Sequence, residues 1–162
     1  MTTVSPPEST RSEFWSYVLR LPHDPCAPRV ARMTVRAALT GHGMDELLDI
    51  TELLTSELAT NAYLHAKGPA SLRLRGLGRG GLRVFVWDTN PYVPPPFDKP
   101  PGVSVSQPAQ ADAVGGRGLL LVQEYASSWG GWPLGDDRLG RGAGKLLWFE
   151  VGGYGAMRRV AA

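Results

Sequence analysis

The sequence predicts an α+β fold, a two-layer sandwich in which a mixed β-sheet carries helices on one face. Three observations predict it. The elements run in the order β-α-α-β-β-(long loop)-α-β-β, which is not the regular βα alternation of a doubly wound parallel sheet. The strand segments alternate: Leu82, Val84 and Val86 share one face of their strand, and Leu72 and Leu74 alternate with arginines in theirs. The clearest helix, roughly Asp45 to Ala66, carries Leu47, Leu54 and Leu58 at helical spacing, with Thr51 between them.

In chain order, residues 1–12 are polar with Pro6 and Pro7 and read as a disordered arm. Residues 13–21 alternate as a strand, in which Phe14, Trp15 and Tyr17 crowd together. Asp24-Pro25 reads as an N-cap followed by a proline in the first turn. The helix it opens is expected to run to about Thr40, with Val30, Met33, Ala37 and Ala38 facing inward, and to stop at Gly41 and Gly43. Gly68-Pro69 ends the second helix. Strands follow at Ser71–Arg75 and Gly81–Asp88, joined by a hairpin turn over Gly78–Gly81.

Residues 89–115 differ in kind. They hold Pro91, Pro94, Pro95, Pro96, Pro100, Pro101 and Pro108, half of the 14 prolines, without sustained periodicity. A loop of this length within a compact domain is either functional or disordered. An apolar helix is then expected from Leu119 to about Ser127, followed by Trp129–Pro133, a Gly/Asp-rich turn over Gly135–Gly144, and a strand Lys145–Val151. The tail 152–162 reads as frayed.

The bulk properties set bounds. A length of 162 residues fits one domain, here 13–151, able to bury a core without disulfides or a structural metal. The net charge is only +2 and the basic residues are scattered, which argues against direct nucleic-acid binding. Cys26 has no partner for an internal disulfide and no metal-ligand spacing around it, so a cytoplasmic setting is expected. The first residues lack the apolar core of a signal peptide, and no apolar run is long enough to span a bilayer.

Three motifs carry chemistry. Glu57, Asn61 and His65 are each four apart, so they form one polar row beside the apolar stripe. A carboxylate one turn from a carboxamide can orient or deprotonate a hydroxyl, and the carboxamide oxygen is a hard ligand suited to Mg²⁺. The same spacing also fits a solvated helix face. Asp88 ends a strongly apolar strand, where it can accept a hydrogen bond from an exocyclic amine such as that of adenine. An Asx turn before Pro91 is the alternative. In Gly115-Gly116-Arg117-Gly118-Leu119, glycines precede an apolar helix and leave backbone N–H groups free to meet an anion, to which Arg117 could add a charge-assisted contact. A plain glycine hinge would look the same.

In this order and around a long loop, the motifs resemble the GHKL ATPases, which have a histidine-kinase-like (Bergerat) ATPase fold. Glu57-x-x-x-Asn61 is similar to their N box, Asp88 to the adenine-contacting aspartate of the G1 box, and Gly116-Arg117-Gly118-Leu119 to the G2 box. Residues 89–115 then correspond to the ATP lid. SELATNAYLHA and GGRGLLLVQEYASSWG are similar in wording to the anti-sigma-factor serine kinase branch. The resemblance implies ATP and Mg²⁺ as cofactors. Glu57 would be the catalytic group, Asn61 the metal ligand, Asp88 the adenine reader, and Gly116, Arg117, Gly118 and Leu119 the phosphate-side residues. His65 would be a support group on the helix.

It further implies a cytoplasmic regulator that binds a sigma factor and phosphorylates an anti-sigma antagonist, with homodimerisation through the outer sheet face or first strand, and no membrane or direct nucleic-acid partner. The alternative is a nucleotide-dependent protein-binding module without kinase activity. One departure bears on the base: the last strand opens Gly144-Lys145-Leu146, where the family carries a threonine near the adenine-binding aspartate.

Overall fold

The computed structural model describes residues 12–100, 116–135 and 144–153. The arm (except Ser12), the lid beyond residue 100, the turn at 136–143 and the tail beyond 153 lie outside the described residues. The expected element order is the observed one. Strands β1 (Ser16–Leu21), β2 (Ala70–Gly78), β3 (Gly81–Asp88), β4 (Ser128–Leu134) and β5 (Gly144–Gly152) accompany helices α1 (Ala27–Gly41), α2 (Leu48–His65) and α3 (Gly116–Tyr125). A short 3₁₀ turn, Asp45–Leu47, leads into α2.

The five strands form one sheet in the order β1-β2-β3-β5-β4. All four pairings are antiparallel, so the sheet is not mixed as expected. The reason is topological. β3 and β4 run the same way, but β5 inserts between them and pairs antiparallel with both. The β2–β3 hairpin turns on Arg79 and Gly80 with φ of 52° and 72°, the left-handed pair that a two-residue turn needs to match strand twist. Pro133 sits in β4, an edge strand, where a missing N–H breaks no interior ladder.

Alternation puts Leu72, Leu74, Leu82, Val84, Val86, Leu147, Phe149 and Val151 on the helix side of the sheet. They join Leu54, Leu58, Ala59 and Ala62 of α2 and Leu119 and Val122 of α3 in one core. α1 contributes Ala27, Ala31, Val35 and Leu39, a stripe with a four-residue repeat. This corrects the expected inward face. Val30 and Met33 are 43% and 60% exposed, Ala37 points to solvent, and Ala38 is half-buried against the core. The stripe that turns inward begins with two alanines, and small side chains let α1 lie close on its neighbours where Val30 and Met33 would hold it off. The expected cap at Asp24 moves two residues on: the N-cap of α1 is Cys26, without a side-chain cap hydrogen bond, and Asp24 acts one turn ahead of the helix. Its Oδ1 accepts from the Cys26 N–H at 2.7 Å, and the proline of the first turn is Pro28.

Candidate functional site

α2 turns Thr51, Leu54, Thr55, Leu58, Ala59 and Ala62 into the core. Glu57 and Asn61 fall at the margin of that stripe, one turn apart and half-buried. Glu57 lies directly against Gly118. A Cβ built at 118 would overlap the Glu57 Oε2 and stand 3.3 Å from its Cγ, so the absence of a side chain at 118 is what lets the carboxylate sit there. The Asn61 Oδ1 is buried and has no hydrogen-bond partner among the described residues. Such an atom forgoes its hydration unless something else meets it. His65 does not support the row through its imidazole, which is exposed. Its carbonyl accepts from Asn90 Nδ2 at 2.8 Å, tying the end of α2 to the residues just after β3.

Asp88, the last residue of β3, is 1% exposed. Its register partner on β5 is Lys145, also 1% exposed. The Lys145 Nζ donates to Oδ2 at 2.8 Å and to Oδ1 at 2.9 Å, and lies 3.3 Å from the Asn90 carbonyl oxygen. Asp88 also forms the Asx turn, with Oδ1 accepting from the Asn90 N–H at 2.8 Å. The strand phase therefore corrects the expectation about Leu146. Leu146 pairs with Trp87 and Trp132 on the other face of the sheet and does not border Asp88. The side chain facing the carboxylate is Lys145, which sequence reasoning passed over.

The third motif begins inside the helix and not before it, since α3 starts at Gly116. The N–H groups of that first turn have no intrahelical acceptor and, with the helix dipole, favour an anion. Gly115 and the side chain of Arg117 lie outside the described residues. Leu119 is 3% exposed and packs in the core, so its side chain anchors α3. The first part of the Pro-rich loop is also anchored. Phe97 is 2% exposed in the core, against Gly131, where a Cβ would come within 3.0 Å of it.

α2 thus links the start of α3 to the end of β3. Glu57 meets the start of α3, the His65 carbonyl holds the loop that follows Asp88, and Asn61 lies between them. Residues 21–129 match the model of the histidine kinase-like ATPase domain, a span that includes Glu57, Asn61, Asp88, Gly116 and Gly118.

The chain belongs to the histidine kinase-like ATPase domain family.

It is also 40% identical over 70 residues to an uncharacterised protein of Streptomyces coelicolor, covering 43% of this chain and 59% of that protein. The α+β sandwich with helices on one side of an antiparallel sheet agrees with the histidine kinase-like ATPase fold, and membership implies ATP binding. The residues of this ATPase domain fit such a ligand unequally. At the phosphate end, an unpartnered buried carboxamide oxygen and a glycine-started helix suit a metal–triphosphate group. At the base end, the Asp88 carboxylate is already held by an ammonium group. Among the described residues no helix is long and apolar enough to cross a membrane.

Proposed function

We propose that the protein is an ATP-dependent serine/threonine protein kinase of the anti-sigma type, which binds a sigma factor and phosphorylates a small anti-sigma antagonist. The observation that carries the reading is the contact between Glu57 and Gly118, which sets a carboxylate at the start of a glycine-led helix. A carboxylate in that position can accept the proton of an attacking serine or threonine hydroxyl. Asn61 would supply one oxygen to Mg²⁺, and the Gly116–Gly118 N–H groups would face the phosphates. Bound ATP supplies the transferable phosphoryl group. The wording of the Thr55–Ala66 and Gly115–Gly130 segments supports the anti-sigma branch within the family.

The test is phosphoryl transfer from labelled ATP with Mg²⁺ to a candidate antagonist protein. Wild type should label it and Glu57→Ala should not. Equal labelling by both, or none by either, removes the kinase reading. A second reading is favoured by the Asp88–Lys145 ion pair, which occupies the expected base reader. In that reading the protein binds its partner in a nucleotide-dependent way without transfer. Calorimetry would separate the two, because partner binding that responds to nucleotide without any label on the antagonist belongs to the second alone.

A further inference from the structure

We propose that Lys145 sets base affinity at this site by competing with an incoming base amine for Asp88. The inference rests on the nucleotide reading above and deepens it. An ammonium group has three protons, and each has an acceptor here: Asp88 Oδ2, Asp88 Oδ1 and, at 3.3 Å, the Asn90 carbonyl. The carboxylate also accepts the Asn90 N–H. Of the roughly four lone-pair sites of a carboxylate, about one, on Oδ2, remains. A neutral exocyclic amine reaching Asp88 therefore meets a group whose strongest interaction is already made with a full positive charge, and charge-assisted hydrogen bonds are the stronger kind.

The backbone prevents the pair from drifting apart. The strands are in register at Asp88 and Lys145, and a Cβ at Gly144 would overlap the Asp88 carbonyl oxygen. Only a change in the Lys145 side chain can free the carboxylate. Lys145 is thus a specificity-determining residue. With it in place, recognition of the base amine is weak. Without it, Asp88 becomes a buried acceptor that rewards an amine and penalises its absence.

The experiment is calorimetric titration of the full chain with ATP and with inosine triphosphate, which lacks the exocyclic amine, both with Mg²⁺. Wild type is expected to distinguish the two by less than about threefold, and Lys145→Met to bind ATP more tightly and prefer it by about tenfold or more, the scale of one buried hydrogen bond. Should Lys145→Met fail to fold, Lys145→Gln is read by the same ratio, since a neutral amide holds Asp88 less strongly than the ammonium and leaves more of the carboxylate to the base amine. An unchanged ATP preference in the variant that folds overturns the inference while leaving the nucleotide reading standing. ATP binding by the variant but not by wild type supports it. Binding of neither nucleotide to any form overturns the nucleotide reading itself, and this inference with it.

Discussion

The carboxylate of Glu57 occupies the space in which a side chain at Gly118 would have to stand. Two elements far apart in sequence, α2 and α3, are fitted to each other at that point. The family match spans both positions, and the contact ties the helix that carries the acid to a helix whose first-turn N–H groups favour an anion.

Gly118→Ala separates folding from chemistry. The nearest atoms to the new methyl are the far end of a flexible side chain, so the carboxylate can swing aside. A stability loss of roughly 1–3 kcal/mol is expected, in line with modest overpacking. If the protein is the kinase proposed above, the displaced acid should lower phosphoryl transfer by about 100-fold, the scale of a group moved by an ångström. Urea denaturation and single-turnover labelling of the same preparation check both figures. Full activity in the variant would mean that the Glu57–Gly118 contact has no part in the reaction.

Asp88→Ala should be far more damaging to the fold. It leaves the buried Lys145 ammonium with the Asn90 carbonyl as its one remaining hydrogen-bond acceptor among the described residues. Breaking a buried pair from one side costs roughly 3–5 kcal/mol, whereas replacing both members with apolar groups is often neutral. The double change Asp88→Leu with Lys145→Met is therefore expected to recover most of the loss. A thermodynamic cycle of Asp88→Leu, Lys145→Met and the double, measured by denaturant melts, gives the coupling. Additive singles would show that the pair is not coupled in solution.

How much of this was legible in the sequence depends on where a signal had a phase. The element order, the hairpin at Arg79-Gly80 and the row Glu57–Asn61 follow from spacing alone, because turn chemistry and a four-residue repeat each point one way. β5 had no such phase. Leu146 and Trp148 are as apolar as Leu147 and Phe149, so the alternation could not say which set met the helices, and Lys145 reads only as the first residue of the strand. Pairing with Asp88 decides it, and pairing is not local. α1 failed for a related reason. Its buried stripe begins with Ala27 and Ala31, weaker signals than Val30 and Met33, which the fold leaves outside. Phe97 sits among prolines without periodicity, so its burial had no signature.

A pH dependence is expected at the α1–α2 contact. Arg36 donates from Nε to Glu52 Oε1 at 2.7 Å and from its Nη2 to Oε2 at 3.0 Å. That hydrogen bond, with the charge of Arg36 adding to it and partial burial opposing it, holds the Glu52 carboxyl below its usual range. A carboxyl depressed on folding stabilises the native state above its unfolded value and ceases to do so as pH falls through its folded value. The contribution is thus present at neutral pH and disappears below pH ~4. Arg36 is largely exposed, so the effect is small and weakened by salt. Denaturant midpoints of wild type and Glu52→Gln should differ at pH ~7 and converge in acid. A constant gap across that range would put the difference down to packing.

Asn61 gives the sharpest separation between a structural and a ligand-binding role. A buried polar atom without a partner lowers stability in the free protein, so replacing it with a methyl group removes a penalty. Asn61→Ala is accordingly expected to melt at or slightly above the wild-type temperature when no ligand is added, with the lost van der Waals contacts of the carboxamide setting the limit. With ATP and Mg²⁺ the order reverses, because stabilisation by a ligand grows with its affinity for the native state. If the Asn61 Oδ1 meets the metal, the wild-type melting temperature rises with Mg²⁺–ATP and that of Asn61→Ala rises much less, while with ATP in chelator the two rise equally. A purely structural asparagine would instead lower the melting temperature of the free variant and leave both nucleotide-dependent rises unchanged. The comparison with and without Mg²⁺ is the decisive part, since no role confined to packing depends on the ion.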